Sequence, residues 1–171
     1  MFKSRVERIA LYGGSFDPPH FGHKRVAEEA IKVLDIDKLL LIPTFLNPFK
    51  SSSFLIANER LERSKNFFNF SPKILVSDFE VEQNRVVPTV ETLKHFKQCY
   101  DVCYIIVGAE NLENIERWKE FAYLNAQIIW VIATRKGYAL QTNKLRDFKI
   151  LEVNVELSST QIRNNMTKES K

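Results

Sequence analysis

The chain has 171 residues, of which 44% are hydrophobic, and its formal net charge is +4 at pH 7. This length suits a single domain over residues 1–171 with a full apolar core. No apolar run approaches the roughly 18 residues of a membrane span, the N-terminus lacks the apolar core of a secretory signal, and two cysteines are too few for a disulfide framework. We therefore expect a cytoplasmic protein with no membrane partner.

Short apolar runs alternate with amphipathic segments along the chain. Five runs are predicted to be parallel strands: Ile9–Tyr12, Leu39–Ile42, Ile74–Val76, Val102–Val107 and Ile128–Ala133. A sixth run, Ile150–Val155, is predicted to add an edge strand. Apolar residues at three- or four-residue steps predict helices over Lys24–Leu34, Asn58–Phe68, Val90–Lys97 and Leu112–Phe121. The alternation indicates an α/β fold: a Rossmann-like, doubly wound, mainly parallel sheet of five or six strands with helices on both faces.

The run Gly13–His23 directly follows the first predicted strand and has the features of a phosphate-binding turn. Its paired glycines let the backbone approach a ligand without obstruction by side chains. A helix that begins near Asp17 and Pro18 would direct unpaired N–H groups towards an anion. His20 and His23, three residues apart, would add two imidazole donors on one face of the first helical turn.

A second polar run, Leu157–Arg163, lies at the other end of the chain. Ser159 and Thr160 can cap a helix whose N-terminus faces a polyanion, and Arg163 supplies a permanently charged planar fork suited to phosphate oxygens. Ligands of doubly wound sheets bind beyond the carboxyl ends of the strands. We therefore expect the two runs to meet in one crevice.

Both runs resemble the motifs of one enzyme superfamily. Gly-Gly-Ser-Phe-Asp with His-x-Gly-His, within Gly13–His23, resembles the signature of the HxGH nucleotidyltransferases, and Ser158–Arg163 resembles their SSTxIR motif. The resemblance implies transfer of a nucleotide monophosphate from a nucleoside triphosphate to a phosphate-bearing acceptor, with release of pyrophosphate. It implies direct in-line attack without a covalent intermediate, so that catalysis depends on positioning and charge stabilisation.

Inner segments are similar to the bacterial nicotinate-mononucleotide adenylyltransferases within that superfamily. Pro43–Lys50 stands where the family has a loop that ends PPHK, of which only the lysine is kept, and Arg60 stands where an arginine follows in the next helix. Asn84–Leu93 resembles the R-x-G-x-S-Y-T-x-D-T-L segment, with Val87-Pro88 in place of Ser-Tyr. Gly108–Leu112 resembles GADxL, with Glu110 in place of the aspartate. Trp118 also matches the family, and Arg135–Tyr138 is similar to its RPGY segment.

The resemblance implies a role for each matching residue. The implied catalytic residues are His20, His23, Lys50 and Arg163. The implied ATP-binding residues are Gly13, Gly14, Ser15, Phe16, His20, His23, Gly108, Glu110, Ser159, Thr160 and Arg163. The implied acceptor-binding residues are Ser15, Phe16, Lys50, Thr89, Trp118 and Arg135.

The implied substrates are ATP and nicotinate mononucleotide, and the product would be the dinucleotide precursor of NAD. Mg²⁺ would accompany ATP, since no carboxylate cage for a metal is visible in the sequence. No nucleic-acid partner is expected, because no RNA-binding motif is present. A homo-oligomer is left open.

Two other interpretations stay open. The acceptor of an adenylyltransferase could instead be nicotinamide mononucleotide or phosphopantetheine, and related enzymes use CTP. The substitution of Val87-Pro88 leaves the choice between nicotinate and nicotinamide undecided. The chain could also be a nucleotide-binding regulatory or RNA-binding module without turnover, although the presence of His20, His23 and Arg163 favours catalysis.

Overall fold

A computed structural model describes residues 4–47, 51–135, 137–153 and 163–167. In chain order the elements are β1 (Arg8–Gly14), α1 (Phe21–Val33), β2 (Lys38–Pro43), α2 (Ala57–Phe67), β3 (Ile74–Val76), α3 (Phe79–Glu82), α4 (Thr89–Lys97), β4 (Asp101–Gly108), a 3₁₀ helix (Ala109–Arg117), α5 (Phe121–Gln127), β5 (Ile129–Thr134) and β6 (Phe148–Glu152). A last helical turn covers residues 163–167. None of the helices in these ranges is both long enough and apolar enough to cross a membrane.

The six strands form one sheet in the order β3-β2-β1-β4-β5-β6, and every pairing is parallel. The predicted mainly parallel sheet is therefore confirmed, and the sixth strand lies at the edge as expected. The chain runs outward from β1 to β3 and then returns to pair β4 with β1. The carboxyl ends of β1 and β4 thus lie side by side at the point where the strand order reverses, which is where such sheets bind ligands.

Helices cover both faces of the sheet, as the doubly wound fold requires. On one face, α1 packs through Val26, Ala27 and Ala30 against a core that includes Ala10 and Ile106. On the other face, α4, the 3₁₀ helix and α5 pack through Val90, Leu93, Phe96, Leu112, Ile115 and Leu124 against Ile9, Leu11, Ile105 and Trp130. Neighbouring residues of β1 and of β4 therefore face opposite layers, which explains why these strands read as continuous apolar runs.

Two predicted boundaries were wrong. The first helix begins at Phe21, not near Asp17. Asp17 and Pro18 each precede a proline, and a residue before a proline is disfavoured in the helical backbone conformation. His20 becomes the N-cap of α1. The edge strand β6 begins at Phe148, two residues before the predicted start, and the predicted end at Val155 lies outside the described residues.

The predicted helix over Leu112–Phe121 is two separate elements. The 3₁₀ helix ends at Arg117 because Trp118 has an extended backbone, with φ −65° and ψ 137°. The chain then turns at Glu120, whose φ of 52° lies in the left-handed region, and α5 begins at Phe121. The short helix α3 was not predicted, since its four residues are too few to show a helical period.

Candidate functional site

A cavity of about 800 Å³ opens at the carboxyl ends of β1 and β4. One end is lined by the turn after β1 and by residues from both terminal motifs, namely Gly13, Gly14, Ser15, Phe16, Asp17, His23 and Arg163. The other end is lined by the α3–α4 region and by the 3₁₀ helix, namely Glu80, Val87, Thr89, Thr92, Asn111, Asn114, Arg117 and Trp118. The cavity is large enough for a nucleotide-sized ligand.

The turn after β1 is closely packed. Phe16 is 1% exposed and meets the rings of Tyr12, His23 and Phe68 edge to face. Its φ of 45° is in the left-handed region, a conformation that costs on the order of 1–3 kcal/mol for a residue with a side chain. Gly14 allows this close packing, because a Cβ at this position would lie 3.2 Å from the Phe16 ring and would press against it. The surrounding packing holds Phe16 in this strained conformation.

His20 and His23 form a capping box at the start of α1. Nδ1 of His20 accepts a hydrogen bond from the Gly22 N–H at 2.9 Å, and Nδ1 of His23 accepts one from the His20 N–H at 3.1 Å. Because each Nδ1 acts as an acceptor, each neutral ring carries its proton on Nε2. The ring centroids are 3.9 Å apart. The cap therefore fixes the tautomer of both rings and leaves two Nε2–H donors for a ligand.

Both imidazoles are neutral at pH 7. Burial, together with a smaller effect of the neighbouring His20, lowers the pKa of His23 to about 3. Burial also lowers the pKa of His20, and the positive charge of Arg163 acts in the same direction. The two neutral rings can act as hydrogen-bond donors, and Arg163 brings positive charge close to them.

Arg163 joins the C-terminal motif to the N-terminal one. Its Nη1 donates to the Asp17 carbonyl oxygen at 2.6 Å, across 146 residues of sequence, and lies 3.9 Å from Asp17 Oδ2. The Asp17 carboxylate is itself fixed, because it accepts hydrogen bonds from the N–H groups of Phe54 and Leu55 at 2.6 and 2.8 Å. Arg163, the residue of the C-terminal motif that the structure describes, therefore contacts the N-terminal motif.

Gly108 and Glu110 lie at the end of β4. The Glu110 carboxylate folds back into the space that a Cβ on Gly108 would occupy, so a side chain at Gly108 would require the Glu110 side chain to turn away. Asn111 Nδ2 donates to the Gly108 carbonyl oxygen at 3.2 Å. Both Gly108 and Glu110 line the cavity, as does Asn111, which the sequence motif did not single out.

Trp118 contributes to both the cavity and the core. It lines the cavity, and its ring meets Trp130 edge to face with centroids 5.9 Å apart. Thr89 begins α4 and lines the same end of the cavity. The nine-residue helix α4 thus directs its N-terminus, with its unpaired N–H groups, towards this region.

Glu80 is a buried acid at this end that the sequence did not single out. The residue is 5% exposed, and its Oε1 accepts a hydrogen bond from Thr92 Oγ1 at 2.6 Å. Among the described residues its Oε2 has no hydrogen-bond partner. Burial raises the pKa of Glu80 to about 7, although the bond from Thr92 opposes the shift. Its partner lies twelve residues away, so no local pattern marks the pair.

The structure does not bring every predicted residue to the cavity. His20 caps α1 next to His23, but it is not among the residues that line the cavity. Arg135 is exposed directly after β5 and is not among the lining residues of the described chain either. Lys50, Ser159 and Thr160 lie outside the described residues. In the ranges that are described, no group of three or more His, Cys, Asp or Glu side chains is placed to hold a metal ion.

Comparisons with known proteins point to one family. A family model described as cytidylyltransferase-like matches residues 11–165. A probable nicotinate-nucleotide adenylyltransferase of Sulfurovum sp. (strain NBC37-1) is 46% identical over 163 residues, which cover 95% of this chain and 87% of that protein. The corresponding protein of Sulfurimonas denitrificans is 41% identical over 161 residues, with 94% and 86% covered.

Solved structures show the same fold. Nicotinic acid mononucleotide adenylyltransferase of Plasmodium falciparum, solved in complexes with APC and with NaAD, superposes with a TM-score of 0.69 at 22% identity, over 95% of this chain and 83% of that one. A putative nicotinate-nucleotide adenylyltransferase of Vibrio parahaemolyticus gives a TM-score of 0.66 at 19% identity, with 96% and 89% covered. The chain therefore belongs to the cytidylyltransferase-like family, and the curated relatives that it matches at 40–46% identity are nicotinate-nucleotide adenylyltransferases.

Proposed function

We propose that this protein transfers the adenylyl group of ATP to nicotinate mononucleotide, giving nicotinate adenine dinucleotide and pyrophosphate. The observation that carries the proposal is the meeting of the two terminal motifs: Arg163 bonds to Asp17 beside His20 and His23, at the mouth of a cavity of about 800 Å³. The relatives from Sulfurovum and Sulfurimonas, which match nearly the whole chain, bear the name of this activity.

In the proposed reaction the acceptor's 5′-phosphate oxygen forms a bond to the α-phosphorus of ATP. The bond from the α-phosphorus to the oxygen that bridges to the β-phosphate breaks, and its electron pair leaves with pyrophosphate. No proton needs to be removed from the attacking phosphate, so the protein's task is to position the groups and stabilise charge. The Nε2–H groups of His20 and His23 would donate to phosphate oxygens, and Arg163 would neutralise charge.

Lys50 is proposed as a second cation for the triphosphate, and Ser159 and Thr160 as further phosphate ligands, on the sequence motifs alone. Mg²⁺ would enter with ATP, bound to the triphosphate, since the described residues supply no three-ligand cluster of their own. When bound it would withdraw charge from the phosphates. A homo-oligomer and a cytoplasmic location stay predictions.

The acceptor's pyridine ring is proposed to bind at the Trp118 end of the cavity. An indole face offers a stacking surface for a pyridine ring. The N-terminus of α4, at Thr89, presents N–H groups and the positive end of the helix dipole, which would favour a carboxylate over a neutral amide. This preference supports nicotinate rather than nicotinamide mononucleotide.

The test is pyrophosphate release by the purified protein with ATP and Mg²⁺. Nicotinate mononucleotide, nicotinamide mononucleotide and phosphopantetheine are compared as acceptors, and CTP replaces ATP in a parallel series. Release with ATP and nicotinate mononucleotide is expected to exceed release with every other pair. Preference for another acceptor would overturn the proposed substrate, and the absence of release with all pairs would support a nucleotide-binding module without turnover.

A further inference from the structure

Arg60 is a fully buried cation beside the cavity. Its hydrogen bonds to the described residues all go to main-chain carbonyl oxygens. It is 0% exposed, and it is not a lining residue of the cavity. Its Nη1 donates to the carbonyl oxygens of Ser15 and Thr44, each at 2.7 Å. Its Nη2 donates to Phe45 at 2.6 Å and its Nε to Leu55 at 3.1 Å. One guanidinium thus joins the turn after β1, the loop after β2 and the segment before α2.

The bond to Ser15 fixes the orientation of one peptide group. The Ser15–Phe16 peptide is trans, so its N–H points opposite to its carbonyl oxygen. Since the carbonyl points to Arg60, the Phe16 N–H points away from Arg60. Ser15 and Phe16 line the cavity whereas Arg60 does not, so this N–H is directed to the cavity side. Among the described residues no acceptor takes this N–H.

This orientation is strained and needs to be held. Rotating the Ser15–Phe16 peptide by roughly 180° would move the Phe16 φ of 45° to the extended region, which residues with side chains prefer. The charged hydrogen bond from Arg60 opposes that rotation. The preceding peptide is held in a similar way, because the Gly14 carbonyl accepts a hydrogen bond from the Thr44 N–H at 3.0 Å, and Thr44 is in turn bound to Arg60.

We infer that Arg60 is a positioning residue, which locks the Ser15–Phe16 peptide so that the Phe16 N–H faces the phosphates of the bound substrates. The inference rests on the proposed function, since it assigns this N–H to the phosphate groups of that reaction. Arg60 touches neither substrate. It acts through the Ser15 carbonyl, and a preorganised N–H donor acts on the charge that develops in the transition state.

The test compares Arg60→Met and Arg60→Lys with a matched control, Ser64→Ala. Ser64 lies one turn further along α2, is also 0% exposed, and donates to the Arg60 carbonyl oxygen at 2.8 Å, so its loss disturbs the same buried helix without touching the turn. Two quantities are measured at a temperature where each variant is folded: kcat and KM for both substrates, and the amide ¹H–¹⁵N resonance of Phe16 with and without added ATP or acceptor.

Arg60→Met is expected to lower kcat by about 10²-fold or more, the effect of losing one preorganised donor. Its Phe16 resonance should be displaced without ligand and should no longer respond to ligand. Ser64→Ala should lower the melting temperature while keeping kcat and the Phe16 resonance of the wild type. A Phe16 resonance unchanged in Arg60→Met, or a loss of kcat no greater than in Ser64→Ala, would overturn the inference.

Arg60→Lys decides the question if Arg60→Met does not fold. Lysine keeps the buried charge but lacks the planar fork that reaches several carbonyls at once. It should lower kcat by about tenfold or more and displace the Phe16 resonance, and wild-type values of both would again overturn the inference. The Phe16 resonance without ligand can be measured whether or not the protein is active. If the wild-type protein shows no activity, the proposed function is refuted, and the effect of Arg60 on the Ser15–Phe16 peptide can still be tested.

Discussion

His23 has two hydrogen-bonding nitrogens with separate tasks, and a substitution can separate them. Nδ1 completes the capping box of α1, and Nε2–H is proposed to donate to a substrate phosphate. His23→Gln is expected to keep the cap, because glutamine is a natural residue at this position of a capping box. It should lower kcat by about 10²-fold through loss of the positioned donor, with a melting temperature close to that of the wild type. Wild-type turnover in this variant would remove the histidine role.

Glu80 links the stability of the protein to pH. Its folded pKa of about 7 exceeds the ordinary value of 4.5, so the folded state binds the proton more tightly. Its contribution to stability is therefore fully present below pH 4.5 and is lost as the pH rises through about 7. This difference between the two pKa values corresponds to on the order of 3 kcal/mol.

Glu80→Gln should remove this pH dependence, because glutamine keeps the size of the side chain and can still accept the bond from Thr92. We expect the variant to gain free energy of unfolding over the wild type at pH 8 but little at pH 5, as measured by urea denaturation. His23 has the opposite influence, since its lowered pKa destabilises the folded state as the pH falls below 6.5. That effect is common to both proteins and cancels in the comparison. Parallel pH profiles of the two proteins would contradict the prediction.

Residues whose partners are distant in sequence were the hardest to predict. Gly13, Gly14, His20, His23 and Arg163 stand in compact motifs, and all of them except His20 line the same cavity. The role of Arg60 depends instead on four carbonyl oxygens that only the folded backbone brings together. The resemblance to the family marked Arg60 by its position, but it did not reveal these acceptors, because main-chain carbonyl groups belong to every residue type.

At the scale of elements, the 3₁₀ helix ends where Trp118 meets the cavity. Trp118→Ala is expected to raise the KM of the acceptor more than the KM of ATP, because the indole is proposed to face the pyridine ring. Steady-state kinetics with each substrate varied in turn would measure both constants. Equal increases of the two would point to a packing role.

Phe121→Ala is the matched control for Trp118→Ala. Phe121 packs against the same core and stacks on Trp130 with centroids 6.0 Å apart, but it does not line the cavity. Its truncation should lower the melting temperature and leave both KM values unchanged. A rise in the acceptor's KM in this variant would show that loss of packing alone accounts for the effect at Trp118.

The apolar strands were predictable to within two residues at most ends, because a strand buried on both faces is a continuous apolar run. The helices in the segment from Ala109 to Gln127 were not predicted correctly. The segment's apolar residues recur at steps of three and four in both short helices, so periodicity cannot reveal the extended residue between them. The break depends on Glu120, a non-glycine residue with positive φ, which composition does not predict.

At the scale of the whole molecule, binding of substrate should raise stability by mass action. A ligand at one hundred times its Kd adds about 2.7 kcal/mol, which for a chain of this length corresponds to a rise in melting temperature of roughly 5–10 °C. We expect this shift with ATP and Mg²⁺ and a smaller one with CTP at the same concentration, measured by differential scanning calorimetry. A larger shift with CTP would favour a cytidylyl donor.

The order of the strands also sets the order in which the sheet can be assembled during synthesis. Residues 8–76 contain the complete β1, β2 and β3, which can pair before the second half of the chain exists. The other edge of β1 then has no strand to pair with until β4, which ends at Gly108, has been synthesised. At about 5–20 residues per second, this apolar edge stays unpaired on the ribosome for roughly two to six seconds. The free edge of β1 is thus a site at which the nascent chain is open to wrong pairing and to chaperone binding until β4 is made.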